Sequence, residues 1–144
     1  MISPDERRIL ARVLFQKEYS EDEEIYPEKS PATAMYFIVK GSVGLFKAGE
    51  NQMADRLKYL AKSACFGYSA LFNPDFRQTG AKTLEKSTLL ILLRSDFEKL
   101  TISNPDFALK VLTAVGSQIL SDFADLQVEY QTLTNKLTRA NIIV

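Results

Sequence analysis

Two patterns of hydrophobic residues divide the chain. Up to about residue 93 the apolar positions fall in short aromatic and β-branched runs broken by glycine, proline and charge, and beyond it they recur at helical spacing. Met35-Tyr36-Phe37-Ile38-Val39 and Ser42-Val43-Gly44-Leu45-Phe46 are strand-like. Lys40-Gly41 between them permits a turn, so the two runs are expected to form a β pair. Arg56-Leu57-Lys58-Tyr59-Leu60 alternates polar with apolar, as a half-buried returning strand does, and Ala48-Gly49-Glu50-Asn51-Gln52 is the polar connection leading to it. Thr88 to Leu93 is a further strand, too apolar for a sheet edge. Tyr36, Phe37, Phe46 and Tyr59 read as core, and Cys65 as a small buried strand residue.

Helix signals frame these strands. Ser3-Pro4-Asp5-Glu6 is a capping box with proline at the first helical position, and Ile9, Leu10, Val13 and Leu14 follow at helical spacing. This predicts an amphipathic helix to about Lys17. Residues 20–24 form an acidic, solvated turn, and Pro27 and Pro31 keep the next stretch extended or looped. Ser95-Asp96-Phe97-Glu98 is a second capping box, opening a short helix that ends near Ser103. Asn104-Pro105-Asp106 supplies an N-cap, a first-turn proline and a first-turn acid, and one helix of about 33 residues follows.

In that helix Leu112, Ile119, Leu126 and Leu133 recur every seventh position, with Gly116, Phe123, Tyr130 and Leu137 interleaved at the complementary spacing, which is a coiled-coil seam. Phe107, Val111 and Val115 suit packing on the chain's own β core. Beyond Phe123 the helix has travelled roughly 27 Å at 1.5 Å per residue, farther than a small domain covers, so a second helix is expected to take over. A two-fold pair of chains supplies it, which predicts a homodimer. Gly116, costly inside a helix, fits a point where two backbones approach.

Composition narrows the function classes. The chain has 144 residues, 46% hydrophobic, with 18 basic against 18 acidic residues, which fits one globular domain with no long-range field for nucleic acid. The longest apolar run, Leu89 to Leu93, is far short of the ~20 residues of a spanning helix, and the N-terminus is not of signal type, so a soluble cytoplasmic protein is expected. There is no histidine, the commonest metal ligand and general base. The single cysteine has no such base to activate it, so neither metal, cofactor nor enzyme chemistry is expected.

The remaining informative stretch runs from Ala64 to Asn73-Pro74, followed by Arg77-Gln78-Thr79-Gly80. Gly67 ends a strand and frees the backbone, Tyr68 to Phe72 can form one helical turn, and Asn73-Pro74 stops it. Arg77 could close over an anion held at that turn. On spacing alone a plain connection between strands is the other reading.

The order of these elements resembles the cyclic-nucleotide-binding domain family over roughly residues 15 to 130. Ala32 to Val43 is similar to the family's opening β pair, Phe66-Gly67 and Arg77 to the ends of its phosphate-binding cassette, Leu89 to Leu100 to its last strand and short helix, and the helix from Asn104 to its dimerisation helix. The resemblance implies a mostly β fold with flanking helices: a β-roll of jelly-roll type in residues 1–103 and a long dimerisation helix in 104–144, as one unit. It further implies cyclic AMP or cyclic GMP as ligand, with Arg77 pairing to the phosphate, a charge-assisted bond of roughly 1.5–3 kcal/mol.

Departures from the family pattern imply an altered pocket. Tyr68 replaces the glutamate that accepts from the ribose, Ser63-Ala64 replaces a glycine–aspartate pair, and Glu28-Lys29-Ser30 replaces a glycine-rich turn. Counting from Asn104, Asp122 and Phe123 stand at the positions that face the purine, where Phe123 could only stack. The ligand set implied is Gly67, Tyr68, Ser69, Arg77, Gln78, Thr79 and Phe123, and the end at Asn141-Ile142-Ile143-Val144 leaves no DNA-reading element expected. Two functions stay open: a non-enzymatic regulatory domain sensing a nucleotide or other small anion, or a degenerate member that only dimerises and docks an unknown downstream partner.

Overall fold

A computed structural model describes residues 3–48, 54–73 and 75–142, with only the backbone of 54–57. The connection expected at 49–52, Pro74 and the last two residues lie outside these. The chain forms two compact units, Met1–Leu109 and Lys110–Val144.

The capping box at the start forms as its sequence predicts: the Ser3 hydroxyl accepts from the Glu6 amide at 3.2 Å, and the Glu6 carboxylate accepts from the Ser3 amide at 2.8 Å. Helix α1 (Pro4–Val13) nevertheless stops short of Lys17, because Leu14–Tyr19 is the strand β1. That strand pairs antiparallel with β8 (Ser87–Leu93), Leu14 facing Leu92 and Tyr19 facing Ser87. A full backbone ladder outweighs the weak preference of one more helical turn.

The other strands are β2 (Glu24–Tyr26), β3 (Ala34–Lys40), β4 (Ser42–Ala48), β5 (Ala54–Ala61), β6 (Cys65–Phe66) and β7 (Gly80–Thr83). They assemble into two four-stranded sheets, β1-β8-β3-β6 and β2-β7-β4-β5. The expected pairing of β3 with β4 does not occur: β3 pairs with β6 and β8, and β4 with β5 and β7. Gly41 turns the chain from one sheet into the other at φ +94, a conformation open to glycine. The central place of β8 and the return of β5 along β4 match their patterns.

Each strand places one residue in a single inner cluster. Tyr19, Leu89, Ile38 and Phe66 come from the first sheet and Tyr26, Ala81, Val43 and Leu60 from the second, so the core lies between the sheets. This mostly β architecture is a β-roll. On the opposite face of the first sheet, Met35 and Leu92 stand opposite one another and are buried, where α2 (Ser69–Phe72) packs on β3 and α3 (Arg94–Ser103) on β8. Two residues read as core lie elsewhere. Tyr59 is 56% exposed, opposite Gly44, and Phe46 is on the same outward face, because neighbouring Leu60 and Leu45 take the inner positions of that alternation.

Helix α3 begins one residue before its expected box. Leu93 is the N-cap with no side-chain cap bond, and the Glu98 carboxylate pairs with Arg94 Nε at 2.8 Å instead of reaching back to Ser95. Helix α4 (Pro105–Arg139) runs 35 residues. By length and composition it is also apolar enough to cross a membrane, with mean hydropathy 1.2 in its most apolar stretch. The search for an unbroken apolar run passes over this, because polar residues separate its leucines.

The turn at Gly41 is tightly built. A Cβ there would lie 2.7 Å from the Ser87 Cα and collide with the Ser87 hydroxyl. Gly41→Ala is therefore expected to destabilise the fold by about 1–3 kcal/mol, read by urea denaturation. A midpoint equal to that of the parent chain would contradict this account of the crossover between sheets.

Candidate functional site

The site is built on Arg77, which the chain holds from both sides of its backbone. Its amide donates to the Ser30 carbonyl at 2.7 Å, and its carbonyl accepts from the Lys29 amide at 2.8 Å. Pro31 and Phe76 bridge alongside, and the Ala32 amide donates to the Asp75 carbonyl at 2.9 Å. This short ladder aims the side chain inward, where Arg77 is 5% exposed.

Among the described residues the guanidinium meets no carboxylate. Nη1 donates to the Gly67 carbonyl at 2.8 Å, Nη2 donates to the Ala34 carbonyl, and Nε is buried with no partner. The guanidinium carbon lies 4.1 Å from the centroid of the Tyr26 ring. Gly67 is required for this approach. It has φ +70, and a Cβ on it would stand 2.9 Å from Arg77 Nη1 and 3.3 Å from the Ala34 carbonyl oxygen.

Aromatic rings continue the site toward the core. Tyr36 and Phe66 stack with centroids 5.1 Å apart and planes 12° apart, and Tyr26 leans on both at 5.8 and 6.2 Å. Burial raises the Tyr26 phenol to about 12, although the Arg77 charge pulls it down. Burial raises Tyr36 as well, against the same charge. Burial lowers Arg77, and the two phenols push it back. Since arginine does not lose its proton, the guanidinium remains a buried charge balanced by neutral partners.

The structure brings some of the sequence-predicted ligand residues together. Gly67 touches Arg77, and Tyr68, half-buried, is the N-cap of α2. Ser69 is exposed at the first position of that turn, Gln78 is exposed and Thr79 is half-buried. Phe123 belongs to the second unit and is 56% exposed. Within the turn, the Ala70 amide donates to the Gly67 carbonyl at 3.3 Å and the Leu71 amide to the Tyr68 carbonyl at 3.0 Å. Sequence reasoning missed Tyr26, whose place at the site is set by strand register. It also missed the Ala34 carbonyl, since main-chain acceptors leave no mark in side-chain patterns.

Cys65 is buried in β6. A groove of about 660 Å³ on the outward face of β2, β7 and β4 is lined by Asp22, Glu24, Glu28, Phe46, Lys47 and Lys82 among others. Lys82 pairs with Asp22 at 3.0 Å, and Glu28 accepts from the Ala48 amide at 3.0 Å, so part of its charge is already satisfied. Among the described residues no group of acids and thiols is placed to hold a metal ion.

Residues 16–104 match the family model described as the cyclic nucleotide-binding domain. A Rhodopseudomonas palustris protein named as a potassium channel protein is 27% identical over 122 residues, which are 82% of this chain and 29% of that protein. A solved cyclic nucleotide-binding domain from Methylobacillus flagellatus aligns with a TM-score of 0.82 at 18% identity, over 94% of this chain and 74% of that one. The catabolite activator protein of Thermus thermophilus aligns with a TM-score of 0.71 at 24% identity, over 90% of this chain and 60% of that one. The chain thus spans less than a third of the channel protein and three fifths of the activator. The structural likenesses establish the shared fold, and Gly67 and Arg77 both lie inside the matched segment.

The two buried phenols give the fold an alkaline limit. Burial holds Tyr19 and Tyr26 at about 12 against an ordinary 10.0. A group whose folded value is raised contributes stability that is complete below pH 10 and is lost as the pH climbs through 12. Thermal melts are expected to hold level below the lower limit and then fall, by on the order of 2 kcal/mol for Tyr26 and by less for the less deeply buried Tyr19 phenol. Tyr26→Phe should flatten part of that decline, and an identical decline in the variant would contradict the burial account.

Proposed function

The chain belongs to the cyclic nucleotide-binding domain family, and on that premise we propose that it is a homodimeric, non-enzymatic regulatory domain in the cytoplasm that senses a nucleotide or other small anion at Arg77. One observation carries this reading: a guanidinium 5% exposed, bonded among the described residues only to main-chain carbonyls and carrying an orphaned Nε. A buried cation without a counter-charge is costly, and an anion entering beside it supplies that counter-charge and an acceptor for Nε. The pocket around it is altered. Tyr68 stands where the family pattern has a ribose acceptor, and Tyr26 covers the guanidinium face.

A second reading, a domain that binds no ligand and serves only as a dimerisation and docking module, draws on the same rings. Tyr26, Tyr36 and Phe66 fill one another's contacts, and two carbonyls already hold Arg77. The unmatched Nε weighs against it, because most buried donors in a structure are paired.

Dimerisation rests on the second unit. Ile119, Phe123, Leu126, Tyr130 and Leu133 are exposed along one stripe of α4, while Leu112, Gly116 and Leu137 are half-buried. Such a heptad stripe is self-complementary, and each leucine buried in it contributes roughly 1.5–3 kcal/mol. Gly116 has nothing within 4 Å of where a Cβ would sit, so contacts within one chain do not demand the glycine, whereas a second copy of the helix gives it a purpose. The partner proposed for this face is therefore a second copy of the chain.

Calorimetric and thermal-shift titrations with cyclic AMP, cyclic GMP, cyclic di-GMP and inorganic phosphate test the ligand. A ligand at 100 times its Kd is expected to add about 2.7 kcal/mol, and Arg77→Ala to abolish the shift. No shift with any of the four favours the docking-only reading. For the dimer, Leu126→Glu with Leu133→Glu should give monomers in ultracentrifugation without detergent. An unchanged mass, or a parent chain that sediments only with added vesicles, would count against the paired helix.

A further inference from the structure

Tyr26 holds a position that nothing in the cassette pattern assigns. Its ring is 7% exposed, lies 4.1 Å from the Arg77 guanidinium, and leans on Tyr36 and Phe66. At that spacing the ring and the guanidinium are in contact, so no planar group fits between them. Tyr36 and Phe66, stacked at 5.1 Å, pack against the same residue, which also lines the groove beside β2 and β7. On that face of the guanidinium, a group attached to an anion meets Tyr26.

Arg77 keeps donors for an anion: Nε is unpartnered, and each Nη gives one of its two N–H groups to a carbonyl. An anion of phosphate size needs only Nε and one further N–H. A nucleoside attached to it also needs room for a sugar and a base, and beside Arg77 the rings of Tyr26, Tyr36 and Phe66 are packed on one another. Among the described residues the Tyr26 hydroxyl makes no hydrogen bond, so packing and the guanidinium contact alone keep the ring in place. A ring held in that way can leave its position without breaking a polar bond.

We propose that Tyr26 sets ligand size at this site: with its ring on Arg77 the site takes a small oxyanion of phosphate size, and a purine nucleotide gains entry only when the ring is removed or displaced. This rests on the anion-sensing reading above and adds to it a residue that selects among anions.

The test compares the parent chain with Tyr26→Ala, Tyr26→Leu, Tyr26→Phe and Arg77→Ala, titrated by calorimetry with inorganic phosphate and with cyclic AMP. The parent is expected to bind phosphate more tightly than cyclic AMP. Tyr26→Ala should bind cyclic AMP at least tenfold more tightly than the parent, with Tyr26→Leu between them and Tyr26→Phe equal to the parent. Equal or weaker cyclic AMP binding in the folded Ala and Leu variants overturns the proposal, as does an absence of cyclic AMP binding in every chain. If neither variant folds, the parent decides alone, because cyclic AMP bound as tightly as phosphate overturns the size limit. Failure of the anion reading is seen separately, as binding that survives Arg77→Ala. Failure of the present inference leaves binding dependent on Arg77 but indifferent to residue 26.

Discussion

A guanidinium cannot escape burial by losing its proton, so the cost of desolvating Arg77 has to be offset by what surrounds it. Here the offset comes from two main-chain carbonyls and one aromatic face. Each places a demand on the sequence. Gly67 must lack a Cβ to let Nη1 reach its carbonyl. The segment around Asp75–Arg77 must pair with Lys29–Ala32 to aim the side chain inward. Position 26 must fall on the inner face of β2 and carry a ring. Dipoles and a quadrupole balance a full charge only in part, and the proposed anion would supply the remainder.

The rings beside Arg77 belong equally to the core. Tyr26 and Phe66 are two of the eight inner-cluster residues, one from each strand, and Tyr36 packs against that cluster. A core tolerates few voids, whereas a binding site needs one, so the same side chains face opposing requirements. The magnitudes are close. Lifting a ring off a guanidinium costs roughly 0.5–2 kcal/mol. Its aromatic contacts contribute a further 0.5–1.5 kcal/mol, in order of magnitude, for each pair. A charge-assisted bond to an anion returns roughly 1.5–3 kcal/mol. With terms this similar, the size of one side chain decides whether the interior acts as core or as pocket.

How much of this could be read from the sequence follows from where the information resides. Strands β4, β5 and β8 and helix α4 were legible because their signals are local, in alternation, β-branching, caps and heptads. The short β1 was not, because Leu14–Tyr19 carries little strand character and is recruited by its ladder with β8. The separation of β3 and β4 into different sheets was hidden for a similar reason: a glycine between two strands announces a change of direction but does not say which neighbour each strand will choose. At the site, Arg77 and Gly67 could be picked out by type and order. Tyr26 could not, since a lone aromatic residue in a three-residue strand gains its meaning from register with Ala81 and from an arginine fifty-one positions later.

A ligand moves a protein only through contacts that differ between two states, and the Arg77 side chain supplies such a difference. Its Nη2 holds the Ala34 carbonyl here, and under the proposed anion reading that acceptor would be released to water or another amide. The adjoining Thr33 carbonyl accepts from the Arg94 amide at 2.9 Å, the first residue of α3. The two carbonyls at the entry to β3 therefore tie the site on one side and the start of a helix on the other. Arg94 itself keeps a buried Nη1 with no partner, so this junction too has spare donor capacity when its surroundings shift. Helix α3 ends at Ser103, and only Asn104 separates it from the proline that opens α4. Under the proposed reading, a change in what Arg77 holds would reach the origin of the long helix along this chain of one peptide, one amide and one helix.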